Sequence, residues 1–176
     1  MKSSDFHTFN EYMKKDDSSL TASMEDYIEM ISRLSAKNGF TRINELSQAL
    51  NIQPSSATKM VQRLSEMGYI KYEKYSVLFL EEKGKEIGDW LIKRHMIIEN
   101  FMQMIGVDSS MILEETEKIE HTLSNETTVR IENLVDFLVN NSDITSRFKA
   151  YKMEQGKRFI DSKSSIEEIT SIEAEP

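Results

Sequence analysis

The sequence predicts a mainly α chain with a small β-wing, an N-terminal winged helix-turn-helix domain followed by an α-helical domain. Three observations predict it. Two short amphipathic segments, Thr41 to Leu50 and Pro54 to Met67, flank a tight turn. Two runs rich in Tyr, Ile, Val and Phe follow directly, around Lys74-Tyr75. A long apolar-periodic stretch from Lys83 to Ile105 and two further helical patterns then carry the chain to Asn140.

The chain has 176 residues, 39% of them hydrophobic and 30% charged, enough for one ordinary core or a small domain with a helical appendage. No stretch approaches the ~18 consecutive apolar residues of a membrane span. Met1-Lys2-Ser3-Ser4-Asp5-Phe6 lacks the pattern of a signal peptide, so a cytoplasmic location is expected. Cysteine is absent, which excludes disulfides, thiolate zinc sites and iron–sulfur clusters; any metal must be held by oxygen and imidazole. The net charge of -8 is unevenly spread. From Thr41 to Leu80 the basic residues Arg42, Lys59, Arg63, Lys71 and Lys74 outnumber Glu45, Glu66 and Glu73. From His95 to Asn141 nine acidic residues face only Lys118 and Arg130. One segment tolerates a polyanion; the other attracts cations.

Residues 1–20 read as a polar N-terminal extension with Phe6, Phe9 and Tyr12 as isolated aromatics. Residues 21–82 form the predicted winged helix-turn-helix domain. Its first helix is expected from Ser23, which can cap it, with Tyr27, Ile28, Ile31 and Leu34 at helical spacing and Asn38-Gly39 as the stop. Asp26 and Glu29 share a face there, and each has a plain alternative: Asp26 in a capping box with Ser23, Glu29 solvated. The next helix turns Ile43, Leu46, Ala49 and Leu50 inward. Pro54 suits the first position of the following helix, which keeps Ala57, Met60, Val61 and Leu64 inward. Its outer side carries Ser55, Ser56, Thr58, Lys59, Gln62 and Arg63, the hydroxyl, amide and cationic groups that bind phosphates and read base edges. Tyr69 to Glu73 and Ser76 to Leu80 then form a hairpin, the wing. Together with Arg42, Pro54, Lys74 and Tyr75, that outer side makes the candidate surface for double-stranded DNA.

Residues 83–141 form the predicted helical domain. Ile87, Trp90, Leu91, Ile98, Phe101 and Met102 stripe its long first helix, with His95 in the middle. Helices are expected over Ser109 to Leu123 and Asn125 to Asn140. The second shows Val129, Ile131, Leu134, Val135, Leu138 and Val139 over a broad arc, more apolar surface than so small a domain can cover, so a homodimer is expected. Residues 142–176 read as a polar C-terminal tail, partly disordered. In Glu117-Lys118-Ile119-Glu120-His121 the two carboxylates and the imidazole share one helix face, which is either a solvated acidic face or part of a cation site.

Ser23-Met24-Glu25-Asp26-Tyr27-Ile28-Glu29, Pro54-Ser55-Ser56-Ala57-Thr58-Lys59-Met60-Val61, Tyr72-Glu73-Lys74-Tyr75, Lys93-Arg94-His95 and Glu117-Lys118-Ile119-Glu120-His121 occur in that order and spacing. From about Leu20 to Asn141 the chain resembles the manganese-responsive repressors of the diphtheria toxin repressor family. The resemblance implies that Asp26, Glu29, His95, Glu117, Glu120 and His121 hold a pair of divalent ions in each subunit, with Glu29 and Glu120 bridging them. It also implies a homodimer that binds a pseudo-palindromic operator through successive major grooves and represses manganese-uptake genes. Four carboxylates and two imidazoles suit Mn(II), with Fe(II), Co(II), Cd(II) or Zn(II) as substitutes. Iron-responsive relatives place sulfur ligands where Asp26 and Glu117 stand, and they carry an SH3-like domain for which this chain has no room.

An iron-responsive or broad-specificity repressor and a metal-independent winged-helix regulator are the alternatives. A di-metal carboxylate enzyme would use Glu-x-x-His on two helices, but Lys118 and Ile92 stand three residues before His121 and His95. No enzymatic activity, membrane partner or small organic substrate is therefore expected.

Overall fold

The computed structural model describes residues 20–73 and 77–155. Its first helix, α1, runs over Ala22–Ser35 and is capped by Thr21, whose extended backbone lets its hydroxyl accept from the Met24 N–H at 3.4 Å. Ser23, expected as the cap, lies inside the first turn and is exposed, so the Ser23–Asp26 capping box does not form. Gly39 takes φ +77° after the helix and donates its N–H to the Ser35 carbonyl at 2.7 Å, the predicted stop.

Three strands form one antiparallel sheet in the order β1-β3-β2: β1 Thr41–Arg42, β2 Ile70–Glu73 and β3 Val77–Leu80. The hairpin is the expected wing, with Ile70 opposite Leu80 and Glu73 opposite Val77. The edge strand β1 was not expected. Thr41 and Arg42 read as the start of a helix, but they pair with Leu78 and Val77 instead. Glu45 explains the switch: its carboxylate accepts from Thr41 Oγ1 at 2.8 Å and from the Arg42 N–H at 3.1 Å, so the helix starts after them.

Helices α2 (Ile43–Ala49) and α3 (Pro54–Glu66) make the helix-turn-helix. Asn51 sits at φ 53° in the turn, a left-handed position that asparagine tolerates better than most residues. Ile43 and Leu46 are buried as expected. Ala49 is exposed and Ser47 is buried in its place, because positions 43, 46, 47 and 50 share one helical face and 49 lies off it. These helices, α1 and the sheet enclose one core of Met24, Ile28, Ile31, Leu46, Val61, Leu64, Tyr69, Ile70, Leu78 and Leu91. A side chain such as Leu46, with no exposed surface, contributes roughly 1.5–3 kcal/mol by burial.

Helix α4 (Glu82–Ile105) packs against α1 and against α5 (Ile112–Glu120). Two glycines permit the close approach. A Cβ at Gly84 would stand 2.0 Å from the Tyr69 carbonyl oxygen, and one at Gly88 would stand 2.9 Å from Ser32 Cβ on α1. Gly88 and His95 are two turns apart on α4, so the same face brings His95 alongside α1. A second core of Ile98, Met102 and Ile112 joins α4 to α5. No helix of the described residues is long and apolar enough to cross a membrane.

The chain divides into two compact units between Thr128 and Val129, within α6 (Asn125–Asn140). In the second unit the helix continues and a further helical run covers residues 142–155. Leu134, Phe137, Val139, Tyr151 and Met153 of that unit are exposed in the single chain.

Candidate metal centre and candidate DNA-facing helix

Three helices supply the acidic cluster. Asp26 and Glu29 project from α1, His95 from α4, and Glu117 and Glu120 from α5, with His121 immediately after α5 as its C-cap. Asp26, Glu29, His95, Glu117 and Glu120 line one cavity of about 410 Å³. One ligand atom each from His95, Glu117 and Glu120 can be chosen so that all lie within 4.8 Å of one another. The fold thus gathers all six predicted ligand residues, although they come from three separate stretches of the sequence.

Glu120 is the hub. It is 1% exposed, and its two oxygens face different imidazoles: Oε2 is 2.9 Å from His95 Nδ1, and Oε1 is 3.5 Å from His121 Nε2. Glu117 Oε1 lies 3.7 Å from the same His95 nitrogen, and Asp26 Oδ1 lies 2.9 Å from His121 Nε2. The cluster therefore has two halves that share Glu120. Glu29, also buried, accepts from Arg33 Nε at 2.9 Å, one helical turn along α1.

The electrostatics are those of crowded negative charge. Partial burial and the charge of Glu120 hold the Glu117 carboxyl above the usual carboxylate range. The hydrogen bond to Glu120 raises the His95 imidazole against the opposing effect of burial. Hydrogen bonds to Asp26 and Glu25 push His121 up to about 10. The guanidiniums of Arg33 and Arg94 and the raised imidazole of His121 set positive charge beside these carboxylates. Oxygen and imidazole donors without sulfur fit a divalent cation of hard or intermediate character.

Two neighbours of the cluster were not singled out by sequence pattern. Burial raises the Glu25 carboxyl, but hydrogen bonds from His121 and Arg94 outweigh it and leave Glu25 below its ordinary value. The Arg94 side chain is 5% exposed and donates Nη2–H to Glu25 Oε2 at 2.8 Å. The available signal was an arginine beside His95 on a helix whose periodicity turns it inward, where an unpaired guanidinium is not tolerated.

On α3, Pro54 stands at the first turn, and Ser55, Ser56, Lys59, Gln62 and Arg63 are exposed opposite the buried Ala57, Val61 and Leu64. Thr58 is half-buried, its hydroxyl donating to the Pro54 carbonyl at 2.8 Å. Arg42 lies exposed on β1, its guanidinium 5.9 Å from the Phe40 ring centroid. Lys74 and Tyr75 of the predicted wing tip lie outside the described residues.

Two family profiles match in tandem. One, the iron dependent repressor N-terminal DNA-binding domain, spans residues 19–78; the other, the iron dependent repressor metal-binding and dimerisation domain, spans residues 81–149. The chain belongs to the iron dependent repressor family. It is a metal-dependent transcriptional regulator rather than an enzyme, with a DNA-binding domain and a divalent-metal-binding, dimerising domain.

A curated relative, the HTH-type transcriptional regulator MntR of Lysinibacillus sphaericus (strain C3-41), is 45% identical over 134 residues, which are 76% of this chain and 96% of that protein. Among solved structures, the hypothetical protein SSo2273 from Sulfolobus solfataricus is 26% identical over 66% of this chain and 89% of that one, with a TM-score of 0.53. ScaR with bound Cd2+ is 27% identical over 65% of this chain, with a TM-score of 0.56; the match spans 54% of ScaR. In this repressor family member, the cluster between α1, α4 and α5 draws on both matched domains, α1 lying in the first and α4 and α5 in the second.

Proposed function

We propose that this repressor responds to Mn(II), with Asp26, Glu29, His95, Glu117, Glu120 and His121 holding a pair of ions in each subunit. The observation that carries the reading is Glu120, a fully buried carboxylate with one oxygen toward each of two imidazoles. Such a carboxylate is suited to bridge two cations, with Asp26 and His121 on one side and His95 and Glu117 on the other. The absence of sulfur at Asp26 and Glu117 favours Mn(II), as does the 45% identity to a protein named MntR.

When bound, the cations supply positive charge that arginines and protons otherwise provide. The chain's own part is mechanical. Asp26 and Glu29 belong to a helix whose opposite face, Tyr27, Ile28 and Ile31, is built into the winged-helix core. Glu117, Glu120 and His121 belong to the other matched domain. Drawing these carboxylates together fixes α1 against α4 and α5 and selects one arrangement from those the charge repulsion otherwise permits. The exposed side chains Leu134, Phe137 and Val139 of α6 supply apolar surface for a homodimer. In that dimer Ser55, Ser56, Lys59, Gln62 and Arg63, flanked by Arg42, Pro54, Thr58, Lys74 and Tyr75, would meet the two halves of a pseudo-palindromic operator. Genes for manganese uptake and a cytoplasmic site of action complete the reading.

The test begins with selection of bound duplexes from a random library in Mn(II), followed by titration of the selected DNA with Mn(II), with Fe(II) and with chelator. Binding that requires Mn(II) is the expected result. Equal binding in chelator would overturn the metal gate, and a stronger response to Fe(II) would overturn the choice of metal.

A further inference from the structure

We propose that Glu25, anchored by the buried Arg94, is a positioning residue that sets the tautomer of His121. The inference rests on the reading of His121 as a ligand. Glu25 Oε2 lies 2.9 Å from His121 Nδ1 and 2.8 Å from Arg94 Nη2. Arg94 Nη2 itself stands 3.2 Å from His121 Nδ1. The other ring nitrogen, Nε2, faces Asp26 Oδ1 at 2.9 Å and Glu120 Oε1 at 3.5 Å.

A neutral imidazole that offers its Nε2 lone pair to a cation must carry its proton on Nδ1. That N–H needs an acceptor, and a guanidinium has none to give. Of the two groups facing Nδ1, only Glu25 can accept. Without its carboxylate, Arg94 would donate to Nδ1 and place the ring proton on Nε2, the tautomer that cannot ligate through Nε2. Glu25 thus accepts from Nδ1–H and also occupies the guanidinium. Arg94 in turn, its side chain 5% exposed on α4, pins the carboxylate of α1 against rotation. Carboxylate partners of metal-bound histidines act in this way in many sites. Here the acceptor comes from the residue next to Asp26, so α1 touches both nitrogens of one ring.

A double-mutant cycle on the full chain decides the matter, with Mn(II) affinity read from the electron paramagnetic resonance of free Mn(II). Glu25→Ala, which leaves no acceptor for Nδ1–H, should weaken binding by about 10–100-fold. In the His121→Ala background the same substitution should change affinity by less than about twofold, because the ring it positions is gone. Circular dichroism of the metal-free variants reports the fold. If Glu25→Ala unfolds, Glu25→Ala/Arg94→Met removes the buried cation with its partner and should show the same loss. Equal losses in both backgrounds, or no loss from Glu25→Ala where His121→Ala weakens binding, would overturn the positioning role alone. No effect of His121→Ala would overturn the ligand assignment and this inference with it.

Discussion

On α3 the polar side chains stand exposed along a single helix, whereas at the acidic cluster ionisable groups from three helices are turned inward. The two regions therefore stand differently toward stability. Ser55, Ser56, Lys59, Gln62 and Arg63 are solvated in the folded chain, so their choice costs folding little. Glu29, His95 and Glu120 are buried, and burying charge costs several kcal/mol per ion unless it is paired. Arg33 on Glu29 and the raised imidazoles beside Glu120 and Asp26 offset that cost. A region held by exchangeable protons can respond to a cation. The exposed α3 surface carries no such cost.

Replacing Glu120 should separate the two regions most sharply. Glu120→Ala removes the group shared by both halves of the cluster, and Mn(II) affinity should fall beyond the ~100-fold typical of removing a supporting partner. Mn(II)-dependent DNA binding should disappear with it, measured by fluorescence anisotropy. Retained metal dependence would show that the cluster is not the gate.

A smaller effect is expected on the other side of the comparison. Lys59→Ala should weaken DNA binding across sequences and flatten the log–log salt dependence by about 0.9 for each phosphate no longer neutralised. Mn(II) affinity without DNA should stay the same. A shift in metal affinity would mean that the two regions are coupled within one subunit, against their separate construction.

The smallest effect is on pH. Beside Asp26 and Glu25, His121 is raised from 6.5 to about 10. Its contribution to metal-free stability is therefore complete below its unfolded value and lost as pH climbs through the folded one. Mn(II) needs the neutral ring, so metal affinity should move the opposite way, rising by at most tenfold per pH unit for each proton displaced. Thermal unfolding and Mn(II) titration at about pH 7 and about pH 8 should show these opposite trends. Parallel trends would contradict the protonated state of His121.

What local chemistry controls was open to reading from residue order alone. The helix-turn-helix, the wing and the outward face of α3 follow from periodicity and turn residues, which act over a few positions. The shared face of Glu117 and Glu120 on α5 follows from helical spacing too. Several features were decided only by packing across the chain. Thr41 and Arg42 become a strand because Val77 and Leu78 offer hydrogen-bond partners and Glu45 caps the helix behind them. Thr21 replaces Ser23 as cap because the chain is extended one residue before Ala22. Glu25 and Arg94 meet His121 because the α4 backbone passes close to Tyr69 and Ser32 at Gly84 and Gly88. Residue identity determined which groups could bind a cation or face DNA. Which atom of which imidazole each carboxylate meets was decided by how three helices pack, since such distances depend on residues far apart in the chain.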